Sequence, residues 1–196
     1  MIDDHGQIYR EAYERYGESP KSLQWWDYPS LASRYKQLVA DLDIKDKTIL
    51  DAGCGMGDAL PFLYMKADNF SYLGLDTNPD FIKIAKKRYD GHRFELGDPF
   101  FGKIKGKFDV VISSGVMNAY TKDWLSERQQ MIKSLFGLTG EVLAFNMAGS
   151  FRPEANDEVI AYADAQVILD YCLSLTSRVI LRHHYNKSDF TIVMFK

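Results

Sequence analysis

A chain of 196 residues is the length of one domain, and with 46% hydrophobic and 26% charged residues it has material for a core and is not a disordered chain. Twenty-four basic against 27 acidic residues leave a net charge of −3, without the basic excess of a non-specific nucleic-acid binder. No run of about 18 apolar residues is present, the first residues are polar and acidic, and Cys54 and Cys172 make neither a disulfide framework nor a zinc set, which points to a reduced, cytoplasmic domain away from membranes.

Residues 1–46 read as a helical extension. Gln7 to Tyr16 has the spacing of a short helix, and a polar loop through Trp25 and Trp26 follows. Pro29 suits a first helical turn, with Leu31, Tyr35, Leu38, Val39 and Leu42 at helical intervals behind it. From residue 47 strand and helix alternate. Strands are predicted at Thr48–Ala52, Tyr72–Asp76, Arg93–Leu96, Phe108–Ser113 and Glu141–Asn146, short and apolar as buried parallel strands are. Asn78 and Pro79 predict a capped helix with Phe81, Ile84, Ala85 and the stem of Arg88 on one face. Further helices are predicted from Asp123 to about Phe136 and from Asp164 through Leu175. Two last strands, Arg178–Tyr185 and Phe190–Phe195, are joined by too few residues for a crossover and must be antiparallel. The expected fold is a Rossmann-like α/β three-layer sandwich. Its seven-stranded sheet is mostly parallel and ends in an antiparallel hairpin, in one domain with an N-terminal helical lid.

Three places carry chemistry. Asp51-Ala52-Gly53-Cys54-Gly55-Met56-Gly57-Asp58 runs from a buried strand into glycines spaced two apart, where a backbone turns tightly and a ligand approaches without a Cβ in the way. A dinucleotide fingerprint wants Gly where Asp58 stands, and no Gly-Lys-Ser/Thr follows for a P-loop. About 20 residues on, Asp76 ends a strand, placed either to accept the ribose hydroxyls of a nucleoside or to open the turn at Asn78-Pro79. Asp98 follows the third strand at the same edge, and reads either as a partner for an adenine amino group or as a loop acid between Gly97 and Pro99.

These elements, in this order, resemble the class I S-adenosylmethionine-dependent methyltransferases over residues 47–196. The motifs are the Asp51-x-Gly53-x-Gly55-x-Gly57 loop, Asp76, Gly97-Asp98 and Phe108-Asp109-Val110-Val111-Ile112-Ser113-Ser114-Gly115. The resemblance implies S-adenosylmethionine as cofactor and S-adenosylhomocysteine as product. It implies Gly53 and Gly55 beside the methionine portion with Asp51 and Cys54 in the same loop, Asp76 and Thr77 at the ribose, and Asp98 and Pro99 at the adenine. Ser113 or Ser114 falls near the sulfonium, and Gln24 with Tyr9, Tyr13 or Tyr16 closes the amino-terminal side.

The acceptor is less legible. The Asn/Asp-Pro-Pro-Tyr/Phe motif of enzymes that methylate amino groups of bases or glutamine amides is absent after the fourth strand, where Ser113 to Asn118 stand instead. Those serines offer no acid for a catechol-type metal site, so no metal is expected. The expectation is a small-molecule acceptor methylated on oxygen or nitrogen, oriented by Asn118 and Tyr120. Trp25, Trp26, Phe151 and Arg152 would line the pocket. His183 or His184 would serve as base, and since neighbouring strand residues face opposite ways only one could point into it. An RNA or protein acceptor and a non-catalytic cofactor-binding module are the competing readings.

Overall fold

The computed structural model describes residues 11–17, 19, 28–102 and 104–196. A helical turn at 11–16 is followed by α1 (Tyr28–Val39), β1 (Thr48–Ala52), α2 (Leu60–Tyr64), β2 (Ser71–Asp76), α3 (Pro79–Arg88) and β3 (Arg93–Leu96). Next come β4 (Phe108–Ser114), α4 (Trp124–Leu138), β5 (Thr139–Ser150), β6 (Ala163–Asp164), α5 (Ala165–Leu175), β7 (Val179–Arg182) and β8 (Asp189–Phe195).

The strands lie in the order β3-β2-β1-β4-β5-β8-β7, with the two residues of β6 paired to the end of β5. All ladders are parallel except those of β8, which runs antiparallel between β5 and β7. The sheet is therefore the predicted one, with β6 as an eighth, two-residue strand. β5 is longer than expected, running past Asn146 to Ser150 because β8 pairs with it as far as Ala148. β7 is shorter, so His183, His184 and Tyr185 lie in the connection to β8 and not in a strand.

Alternation along each strand sorts the core into two layers. Ile49, Val110, Ile112, Val142, Ala144 and Val193 meet α1, α2 and α3 through Leu31, Leu38, Leu60, Leu63, Ile82 and Ala85. Their neighbours Leu50, Val111, Leu143, Phe145, Ile192 and Met194 meet α4 and α5 through Ile132, Leu135, Ile168 and Cys172. α1 is thus a core helix, and Tyr35 stacks on Phe62 with ring centroids 5.1 Å apart. Asn78 caps α3, its side-chain oxygen accepting from the Asp80 and Phe81 amides. Lys83, Lys86 and Lys87 face solvent, and Arg88 turns to Asp58 at 3.3 Å. Asp164 caps α5 by accepting from Gln166 N. These choices bring the carboxyl ends of β1, β2, β3 and β4 to one edge, where open α/β sheets bind ligands.

Candidate active site

β1 delivers the chain into the glycine loop. Gly53, Gly55 and Gly57 have φ of 79°, 53° and 83°, the left-handed region that side chains resist. The amides of Gly53 and Cys54 both donate to the carbonyl of Leu75, at 2.8 and 2.9 Å, so the turn is tied to β2. A Cβ at Gly53 would stand 2.2 Å from Cγ2 of Val116, and one at Gly57 2.9 Å from the Tyr89 ring. The loop is therefore packed so closely against Val116 and Tyr89 that only glycine fits at these two positions.

Carboxylates surround it. Asp76 accepts from Gly55 N at 2.9 Å with one oxygen and from Asn78 N at 2.8 Å with the other, joining the loop to the cap of α3. Burial raises its carboxyl above the ordinary range, against the pull of the amides. Asp51 lies under the loop, 1% exposed, accepting from the Tyr72 hydroxyl at 2.7 Å. Burial pushes its carboxyl up to about 7; the Tyr72 bond opposes that, and Asp76 and Asp58 reinforce it. Asp58 is also raised by burial, with Arg88 opposing. Three desolvated acids, of which only Asp58 meets Arg88, give this part of the edge negative potential, which fits a ligand carrying ammonium and sulfonium charges. Cys54 is no nucleophile, because its thiol is 2% exposed and burial pushes it far up.

The remaining predicted cofactor residues are distributed unevenly. Thr77 is exposed just past Asp76, and Pro99 is buried. Asp98 spends one oxygen on the amides of Phe100 and Phe101, at 2.8 and 3.0 Å, and stays exposed at the edge. A cavity of about 950 Å³ lies along β2 and β3 and reaches Gly97 and Asp98 at one end. Ser113 is fully buried and donates to Ala52 O at 2.9 Å, so it ties β4 to β1. Ser114 shares hydrogen bonds with Asn146, whose side-chain oxygen also accepts from Gly115 N at 2.8 Å. Asn146 was not singled out from the sequence; a polar residue in an otherwise apolar strand was the available signal. Gln24, Trp25 and Trp26 fall outside the described residues. Tyr13 packs edge-on to Phe81, 6.3 Å between centroids, beside Met56 of the glycine loop.

The acceptor side is built differently. Asn118 holds Ala148 N with its side chain and Ala161 N with its carbonyl, at 2.8 and 2.9 Å. Tyr120 N donates to Val159 O, and Ala119 bridges Ile160, so residues 151–162 fold back on the turn after β4. Tyr120, Phe151 and Arg152 are exposed along this rim. His183 Nδ1 meets the Asp189 carbonyl at 2.9 Å, and Phe151 sits edge-on to its ring. Asp189, 2% exposed, is paired to Arg34 of α1. His184 is exposed, edge-on to Tyr185. β7 stands three ladders from β4, roughly 14 Å at the usual strand spacing, so both histidines lie at the outer wall. Among the described residues no group of three or more His, Cys, Asp or Glu is placed to hold a metal ion.

This edge, with its glycine loop, acidic lining and sheet order, belongs to an S-adenosylmethionine-dependent methyltransferase of class I. The methyltransferase-domain family model matches residues 43–145, more than half of the chain, and the chain belongs to that family. A protein of Mycobacterium tuberculosis (strain ATCC 25618 / H37Rv), Rv1506c, provisionally named a methyltransferase, is 26% identical over 155 residues, covering 76% of this chain and 93% of that protein. The trans-aconitate 2-methyltransferase of Methylobacterium radiotolerans is 28% identical over 130 residues, covering 61% of this chain and 48% of the enzyme. In fold, the chain is similar to the magnesium protoporphyrin IX methyltransferase of Synechocystis PCC 6803 solved with bound S-adenosylmethionine. That match has a TM-score of 0.69 at 18% identity and covers 100% of this chain and 98% of that one.

Proposed function

We propose that this methyltransferase acts on a small-molecule acceptor, methylating oxygen or nitrogen. The observation that carries this is the closed acceptor side: residues 151–162 are pinned to the turn after β4 by the Ala119–Ile160 bridge and the bonds at Asn118 and Tyr120, which favours a compact acceptor over a polymer. Two relatives or fold neighbours are named for small molecules, trans-aconitate and magnesium protoporphyrin IX, which supports the same reading.

S-adenosylmethionine supplies a methyl group already activated on a sulfonium, so the chain's work is binding, alignment and exclusion of water. The turn from Gly53 to Gly57, its glycine amides spent within the protein, takes the methionine portion alongside it, Asp76 the ribose and Asp98 the adenine. Asp51, Asp58 and Asp76 favour a cation, so they hold the charged cofactor more tightly than its product lacking the sulfonium, which helps product leave. Orienting the acceptor against the turn after β4 supplies roughly 7–11 kcal/mol of barrier lowering in well-aligned systems. His183, its Nδ1 engaged by Asp189 O, stands at the outer wall, too far from the end of β4 to take a proton from the atom being methylated, so it is left to contact the distal part of an acceptor. Tyr120, Phe151 and Arg152 line the way in.

Calorimetry with S-adenosylmethionine, followed by transfer of labelled methyl across a metabolite panel, tests this. Micromolar binding, about −8 kcal/mol, and label in a small acid, alcohol or amine are expected. Label entering only RNA or protein overturns the acceptor reading, and no cofactor binding overturns the site.

A further inference from the structure

α4 buries a cation where its pattern calls for an apolar residue. Arg128 is 2% exposed, yet only Nη2 has an acceptor, the carbonyl of Ala161. Nε and Nη1 are buried without a hydrogen-bond partner, and the Trp124 ring lies 4.6 Å from Cζ. Burial alone shifts this guanidinium, down to about 10, with no acid contributing, so it stays charged and without a counter-ion at neutral pH. Glu127 is on the same turn, but its carboxylate accepts from Thr121 Oγ1 at 2.8 Å. An isolated buried charge costs several kcal/mol unless something anionic or polar answers it.

Beside this side chain is a cavity of about 20 Å³, lined by Val116, Met117, Ala119, Trp124, Glu127 and Arg128 among others. That is room for one water, or for the head of a small anion after a slight shift of the turn that follows Gly115. Its location ties it to the reaction. Val116 packs directly over Gly53 of the cofactor loop, and Ala161 belongs to the segment that closes the acceptor side and is held there by Asn118.

We propose that Arg128 and this cavity form an anion subsite of the acceptor pocket that takes a carboxylate of the methyl acceptor. The inference rests on the small-molecule reading and narrows it to acids. The carboxylate meets Nε and Nη1 while Nη2 keeps Ala161. The bound group is the anchoring carboxylate, and no bond changes at Arg128.

The test uses the whole chain with succinate and acetate as probes against chloride at equal ionic strength. Thermal melting should rise by about 2–4 °C at saturating succinate, and Arg128→Gln should abolish the rise. Arg128→Lys, which keeps the charge, secures a folded comparison and identifies the Arg128 Nε–H resonance by its loss. In the unmodified chain that resonance should move as succinate is added. An equal shift with chloride, an equal shift in the Gln variant, or a stationary resonance overturns the proposal. Calorimetry with S-adenosylmethionine on the same samples separates the two ideas. Intact cofactor binding with Arg128 silent to carboxylates sinks only the subsite, whereas loss of cofactor binding in the unmodified chain sinks the methyltransferase site itself.

Discussion

The two sides of the active edge are made of different material. The cofactor side is backbone: glycine turns at the ends of parallel strands, amides bonded to Leu75, and Asp76 held by two amides of its own neighbourhood. The acceptor side is a run of exposed side chains on irregular chain between residues 151 and 159, fixed at a few points to Asn118 and Tyr120. A common cofactor is met by geometry that a strand end enforces, whereas a particular acceptor is met by side chains whose surroundings leave them replaceable. Damage on the first side should therefore be severe and couple binding to stability, and damage on the second should change turnover alone.

The hardest test of that contrast is Gly53→Ala. Its φ of 79° and the 2.2 Å approach of Val116 make any side chain strained and obstructed. Cofactor binding should vanish in calorimetry, with a stability loss of about 1–3 kcal/mol by thermal melting. Adding Val116→Ala should recover part of the stability by removing the clash but not the strain. Full binding in Gly53→Ala would break the idea of a cofactor side made of backbone.

Asp76→Ala should come next, lowering cofactor affinity at least tenfold, since hydrogen bonds to a charged group are worth about 1.5–3 kcal/mol. It should also loosen the glycine loop, seen as faster hydrogen exchange at Gly55, whose amide it accepts.

Asp51 gives a smaller, pH-dependent effect. Its carboxyl titrates near 7 when folded, against 3.8 for an ordinary one. Between those values the folded state binds more protons than the unfolded chain, so this group's contribution makes stability fall as pH rises towards 7 and flatten above it. A cationic ligand prefers the ionised form, so cofactor affinity should tighten severalfold between pH 6 and 8. Asp51→Asn should flatten both profiles, and profiles unchanged by the substitution would show that the acid does not sense the ligand.

Phe151→Ala and Arg152→Ala should do least to the fold, within about 0.5 kcal/mol, as exposed positions, and should leave cofactor affinity within twofold. Turnover of the true acceptor should drop. A parallel loss of cofactor affinity would erase the distinction between the sides.

The same contrast governs what the sequence revealed. β1, β2 and β4 were legible because buried parallel strands are short apolar runs, whereas β3 is an edge strand with only Phe94 buried, and the glycine spacing and Asn78-Pro79 cap depend on local backbone rules. Pairings between distant residues were not. Arg34 meets Asp189 and Tyr72 meets Asp51 only because the fold brings them together. Arg128 stands on the apolar stripe of α4, four residues from both Trp124 and Ile132, and only its charge hides its burial in the sequence. β7 ends early because its ladder with β8 stops at Arg182, a pairing limit that hydrophobicity does not encode. The histidines were thereby moved from a strand into a turn.

The place of β8 sets an order of events during synthesis. It is the last strand of the sheet to leave the ribosome, yet it lies between β5 and β7 and carries the only described ladder of β7. Until residues 189–195 emerge, β5 has an open edge rich in buried apolar groups and β7 has nothing to pair with. The nascent chain must therefore keep that edge exposed while the rest is made, and long-range closure of this kind is slow. Chaperone contact should concentrate on β5 during this interval.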